Sequence, residues 1–159
     1  MALISATRLR VRSFFYFPQF SWANVLSARQ LTHTPGFLSG KLLIDRYRNF
    51  WTMTAWEDEA AMRSFRNGGV HRKVMPKLLQ WCDEATLVHW HQETPTLPDW
   101  QEAHRRMISE GRPSKVNHPS PNQATKHFPV PRVGRLSREL RPASRSASKA
   151  VQSAQRRAG

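Results

Sequence analysis

Four histidines, two threonines and a set of aromatic side chains are the residues of this chain best equipped for chemistry. His71 follows the break Asn67, Gly68 and Gly69 and stands at the start of a new helical run. A neutral imidazole there can ligate a metal ion or make a polar contact to a bound molecule; the bland reading is a partly exposed histidine that holds backbone groups. His89 and His91 are two apart on a strand, so both point to one face and could share a metal, with His33 as a conceivable third ligand. The polar edge of a terminal strand explains the same pair. Phe15, Phe37, Trp51 and Trp56 can line an apolar pocket for a flat ligand, with Thr52 or Thr54 orienting it through a hydroxyl. The same aromatics also suit a core or a subunit interface. Cys82 follows Trp81 on an apolar face with no base beside it, which describes a packed thiol.

These residues need elements to position them, and the stretch from Phe50 to Cys82 supplies most of them. Phe50, Thr52 and Thr54 alternate with Trp51, Met53 and Ala55 at the period of a central strand. Glu57, Asp58 and Glu59 concentrate negative charge where a helix begins, and Ala61, Met62 and Phe65 form its inward stripe. The Asn67, Gly68 and Gly69 run offers the left-handed backbone that ends a helix. Val70, Val74 and Leu78 then recur every four residues, and Pro76 predicts a turn over HRKVM, with a second helix starting at the proline.

Upstream, the alternation from Leu9 predicts a first strand running to Pro18, followed by a helix capped by Ser21 with Trp22, Val25, Leu26 and Leu31 on its apolar side. Pro35 and Gly36 close that unit, a strand spans about 37 to 47, Arg46 to Asn49 forms a hairpin turn, and the last strand runs from Ala85 to Gln92. The order βαββαβ predicts an α+β, ferredoxin-like fold: a four-stranded antiparallel sheet with both helices on one face. No further element long enough to cover the other face is evident, so a second copy is expected there, making a homodimer shaped as a dimeric α/β barrel.

Charge divides the chain. Residues 1 to 111 carry 14 Lys or Arg against 10 Asp or Glu, while residues 112 to 159 carry 11 against 1. Three regions follow: a folded domain over 7–93, a linker with a short docking helix over 94–111 in which Asp99 caps a helix bearing Trp100, Ala103, His104 and Met107, and a basic Pro/Ser/Arg-rich tail over 112–159. That tail is expected to be disordered, with transient helix near Leu136 to Leu140 or Ser146 to Arg157, and to bind nucleic acid or anionic surfaces nonspecifically if it binds anything. The single cysteine fits a reducing compartment. No apolar run approaches the roughly 18 residues of a membrane span, and Arg8, Arg10 and Arg12 interrupt any signal-peptide core, so a cytoplasmic location is expected.

FWTMTAWEDEAAMRSF followed by GGVHRKVMPKL resembles the dimeric α/β-barrel superfamily of antibiotic biosynthesis monooxygenase-like proteins, with a likeness to spheroidene monooxygenase-like members. The matching residues are the strand with an aromatic before threonine, the pair Trp56 and Glu57, and the spacing of Gly69, His71 and Met75, within a resemblance spanning about residues 7 to 93. The resemblance implies a monooxygenase acting on an apolar aromatic or polyene small molecule, either cofactor-free or with haem held by His71. A noncatalytic dimeric module binding a small apolar ligand is the alternative. No CxxCH is present, so covalent haem attachment is excluded.

Overall fold

The computed structural model of the chain describes residues 1–134 and 136–143. Strand β1 (Ala2–Val11) opens the chain and is followed by a 3-10 turn (Phe14–Tyr16), helix α1 (Phe17–Thr32), strands β2 (Phe37–Ile44) and β3 (Asn49–Trp56), and helices α2 (Glu59–Asn67) and α3 (Gly69–Trp81). Strand β4 (Cys82–Gln92), helix α4 (Trp100–Glu110), the short strand β5 (Arg112–Pro113), helix α5 (Asn122–Thr125) and strand β6 (Ser137–Leu140) complete it. The strands form one antiparallel sheet in the order β5-β4-β1-β3-β2-β6. Its four inner strands and the helices of one face make the ferredoxin-like α+β arrangement, extended at each edge by a short strand, so the sheet has six strands rather than four.

The first strand lies earlier than the alternation from Leu9 suggests. The aromatic run Phe14 to Phe17 has a strand's composition but leaves the sheet, because Pro18 occupies the first turn of α1, where its missing N–H costs nothing. Ser13, not Ser21, caps the segment's start, its Oγ accepting from the Phe15 N–H at 3.3 Å. On α1 the buried residues are Phe20, Ala23 and Leu31, whereas Trp22 and Val25 face outward. The turn expected over HRKVM is also corrected: α3 is continuous through Pro76, which lies on the exposed face, where water can take up the carbonyl left without a donor.

Asp58 caps α2 by accepting the Ala61 N–H at 2.8 Å, and the helix ends at the Gly68 and Gly69 pair. Gly69 has φ +51°, and a Cβ there would lie 2.8 Å from the Gln30 side chain. Gln30 occupies that space with purpose: its Nε2 donates to the Phe65 and Gly68 carbonyls, and its Oε1 accepts from the His71 N–H at 2.9 Å. One α1 side chain thus binds both sides of the helix break and fixes where α3 begins.

Strand alternation gives the sheet two different faces. Ile4, Ala6, Leu43, Trp51, Met53, Ala55, Val88 and Trp90 project to the face away from α1, α2 and α3. The chain itself covers that face: Trp100, Ala103 and Met107 of α4, together with Phe128, pack into the same cluster. Asp99 caps α4 through the Glu102 N–H at 2.8 Å. The need for a second copy to cover this surface therefore disappears.

A buried polar network pins the cover in place. Arg8 donates to Glu84 at 2.5 Å and to Asn49 at 3.0 Å, and its guanidinium lies 4.1 Å from the Phe128 ring centroid. Asp45 accepts from Asn49 and from the Trp51 indole, and Ser120 donates to Glu84 at 2.6 Å. Gln123, also buried, bonds the backbone of Ala85 in both directions. Disorder from residue 112 onward is thus overturned for 112–134 and 136–143: these residues wrap the sheet, and the region expected to sample helix near Leu136 pairs as β6 with β2. The Ser146 to Arg157 segment lies outside the described residues.

If residues beyond 111 help hold the sheet, Phe128→Ala will lower the unfolding free energy by about 3 kcal/mol in urea titration, as truncation of a buried aromatic does. A loss below about 0.5 kcal/mol, the level of an ordinary surface substitution, would contradict the wrap.

Candidate functional site

A cavity of about 730 Å³ lies between the other sheet face and the three helices. Its floor comes from alternating positions on neighbouring strands: Ser5, Thr7 and Leu9 on β1, Thr52 and Thr54 on β3, Leu87 and His89 on β4. Cross-strand register sets Thr7 opposite both Thr52 and Leu87, and Ser5 opposite both Thr54 and His89, so hydroxyls form a patch on an otherwise apolar floor. The roof is apolar, with Phe20, Met62, Phe65, Val74 and Leu78 among its side chains.

Not every hydroxyl on this floor is equally available. Thr54 Oγ1 donates to the Ser5 carbonyl at 3.4 Å and accepts from the Trp56 indole at 2.9 Å, so it serves mainly to hold Trp56. Trp56 in turn stacks on Phe65, centroids 5.5 Å apart, and Phe65 packs against the His71 ring at 4.5 Å. Thr52, two residues along the strand, lines the cavity and has no hydrogen-bond partner among the described residues.

His71 lines the cavity from the first turn of α3. Its Nδ1 lies 3.2 Å from the Arg66 carbonyl, which can only accept, so Nδ1 carries the proton and Nε2 keeps its lone pair. Burial pushes the imidazole's pKa below the ordinary 6.5, partly opposed by that backbone hydrogen bond. His89 is likewise held down, first by burial and then by the charges of Arg112 and Arg66. Two neutral imidazoles therefore face one cavity near neutral pH, each able to accept a proton.

The sequence-predicted pocket residues separate into three groups. Thr52, Thr54, Trp56 and His71 line the cavity. Phe37 is buried behind it, edge-on to Trp56 at 5.6 Å. Trp51 and Phe15 do not belong to it. Strand alternation turns Trp51 to the opposite face, against Trp100 and Phe128, while Phe15 sits on the 3-10 turn, 74% exposed. His89 lines the cavity, whereas His91 is exposed and His33 Nδ1 is engaged with the Arg29 carbonyl at the end of α1. Among the described residues no three His, Cys, Asp or Glu side chains come together in a way that could hold a metal ion. Cys82 is buried, and burial pushes its thiol up to about 12, which leaves it un-ionised.

Ser5, Thr7, Leu87, Arg66 and Arg112 are cavity residues that sequence reasoning passed over. A signal existed for the first two, since the small polar residues alternate with Ile4 and Ala6, but it becomes readable only once the strand is known to begin at Ala2.

Comparison of whole folds places this architecture. SnoaB, a cofactor-independent oxygenase from Streptomyces nogalater, superposes with a TM-score of 0.50 at 18% identity, covering 62% of this chain and 98% of that one. A protein described as an antibiotic biosynthesis monooxygenase matches with a TM-score of 0.52 at 14% identity over 58% of this chain and 99% of its own. The fold is that of the antibiotic biosynthesis monooxygenases. A conserved protein from Methanosarcina mazei shares it as well, with a TM-score of 0.53 at 11% identity over 58% of this chain and 94% of its own. No protein-family model matches the sequence, and no curated protein matches it. No helix among the described residues is long and apolar enough to cross a membrane. The far face of this chain's sheet is closed by α4 and Phe128.

The histidine environments give a pH dependence of stability. Both imidazoles bind a proton less readily folded than unfolded, so below pH 6.5 the unfolded chain holds more protons. Their stabilising contribution is complete above that value and is lost as the pH falls through it toward the lowered folded pKa values. Urea midpoints should decline across this window on acidification, and a His71→Gln/His89→Gln double variant should decline less steeply. Equal slopes would place both imidazoles in an ordinary solvent environment.

Proposed function

We propose that the cavity binds a small apolar aromatic or polyene compound and that the protein oxidises it as a monooxygenase. The observation that carries this reading is a single-chain cavity with an apolar roof, a hydroxyl-bearing floor and two neutral imidazoles, on the fold that SnoaB shares. The apolar walls exclude water and hold a flat or extended molecule, and Thr52, with Thr7 and Ser5 beside it, can orient an oxygen of that molecule. His89 has no hydrogen-bond partner among the described residues and is the better placed base.

In a cofactor-free reaction the base removes a proton from an activated CH₂ or OH of an electron-rich substrate. The resulting anion passes electrons to molecular oxygen. One oxygen atom enters the substrate and the other leaves as water; a CH₂ becoming a C=O supplies all four electrons. The protein's part is to desolvate, orient and hold the proton on an imidazole.

One observation favours a haem-assisted version. The Nδ1 proton of His71 is tied to the Arg66 carbonyl, the arrangement that presents Nε2 to iron, while Arg66 and Arg112 on the cavity wall offer cations to propionates. Haem held there would supply oxygen activation; the chain's own residues would still bind and orient the substrate.

The cavity is complete in one chain, so this function does not require a homodimer closed sheet to sheet, and α4 with Phe128 occupies the surface such a dimer would use. The basic residues after Lys115 add an affinity for nucleic acid or anionic surfaces that is separate from this activity and should vanish at high salt.

Oxygen uptake measured with a panel of electron-rich hydroxyaromatics tests the oxygenase reading. One oxygen is expected per carbonyl formed, with His89→Gln slowing turnover on the order of a hundredfold. A haem titration run beside His71→Ala tests the second version: a saturable Soret shift should be lost in the variant. Ligand binding with neither oxygen uptake nor a Soret shift would reduce the protein to a noncatalytic binding module of this fold.

A further inference from the structure

The charges around the cavity are unequal in a way that specifies its ligand more closely. Glu59 is on the lining and is spent on Arg63, whose Nε and Nη2 both donate to Oε1 at 3.1 and 2.7 Å. Arg66, in the last turn of α2, donates Nε only to the neutral amide of Asn67 at 3.2 Å. Arg112 has no acceptor among the described residues. Its placement is fixed by the ladder: Arg112 stands opposite Leu87, cross-strand partners share a face, and Leu87 and His89 are two apart on that face. The short strand β5 therefore adds one guanidinium to the cavity face beside His89, and α2 adds another, each without a carboxylate partner. Lys115 lines the same cavity. Both guanidiniums act on His89 electrostatically, opposed by the smaller influence of Glu59.

We infer that the cavity's ligand is an amphiphilic anion, an aromatic body bearing a carboxylate or sulfonate held by Arg66 and Arg112. The inference rests on the proposed reading of the cavity as a small-molecule site and narrows it. An anion there gains charge-assisted hydrogen bonds from two solvent-exposed donors with free N–H groups. The apolar body then reaches inward along Leu87 and Thr52 toward Trp56. Selectivity against a neutral molecule of the same shape comes from its gaining no charge-assisted bond from either guanidinium.

The test uses the full chain and two fluorescent probes of the same ring system, anilinonaphthalenesulfonate and its uncharged counterpart phenylnaphthylamine. Wild type should bind both in the cavity, the sulfonate more tightly. Arg66→Ala and Arg112→Ala should each weaken the sulfonate about tenfold, the loss expected for one charge-assisted contact, and leave the neutral probe within about twofold. Arg112→Lys should restore part of the loss. Continued binding of the neutral probe shows that each variant keeps its cavity. Equal affinities for the two probes, or a sulfonate affinity indifferent to both substitutions, would overturn the inference while leaving the cavity reading intact. Failure of both probes to bind would overturn both. A substrate carboxylate and the propionates of haem share this chemistry. Displacement of the sulfonate by naphthoate, undiminished in His71→Ala, assigns the anion to a substrate, whereas displacement only by haem and only with His71 present assigns it to haem.

Discussion

A guanidinium buried beneath an aromatic ring governs the far side of this sheet. Arg8 projects among Ile4, Ala6, Trp51 and Met53, where burial alone would favour its neutral form, and it stays charged because Glu84 and Asn49 bond it. An ion in such surroundings needs close partners, and both terminal nitrogens of Arg8 have them while its Nε does not. Glu84 reaches it from β4, Asn49 is held by Asp45 from the β2 to β3 turn, and Phe128 lies over its face. Ser120 completes Glu84. A side chain of the first strand thereby organises residues more than a hundred positions later in the sequence.

Closing that face within the chain frees the other for ligand binding. Had the apolar face of β1, β3 and β4 remained open, a second copy would have been the economical cover, and the architecture would have been a two-chain barrel. With α4 and Phe128 in place, each chain holds a sealed sheet on one side and a cavity on the other. Alternation is what permits both: the same strand carries Trp51 and Met53 into the sealed core and Thr52 and Thr54 toward the cavity. Gln30 and Gly69 then set the height at which α3 starts, and with it the position of His71 above the floor.

Much of this was legible locally. The central strand, the Asp58 cap, the Gly69 break and the amphipathic helix at Trp100 are each written in a few adjacent residues. What escaped depended on distant partners. Phe14 to Phe17 has the composition of a strand, and only a helix beginning at Pro18 removes it from the sheet. Residues 112–134 and 136–143 have no periodic apolar pattern, because isolated side chains such as Gln123, Phe128, Pro131 and Leu140 do the docking. Of the site, Thr52, Thr54, Trp56 and His71 were readable from the central stretch, whereas Arg112 enters it only through a two-residue edge strand. Trp51 was misassigned because an aromatic next to a threonine on a strand must face the other way.

The central claim is that a ligand's apolar body lies between the hydroxyl-bearing sheet face and α3. A crystal structure of the full chain with bromonaphthalene tests it most directly, because the bromine's anomalous signal locates the molecule without reference to any activity. The expected result is a peak inside the cavity, in contact with Thr52, Leu87 and the His71 ring. A peak found only in the outer groove beside Trp22 and Val70, with the interior cavity empty, would contradict the account.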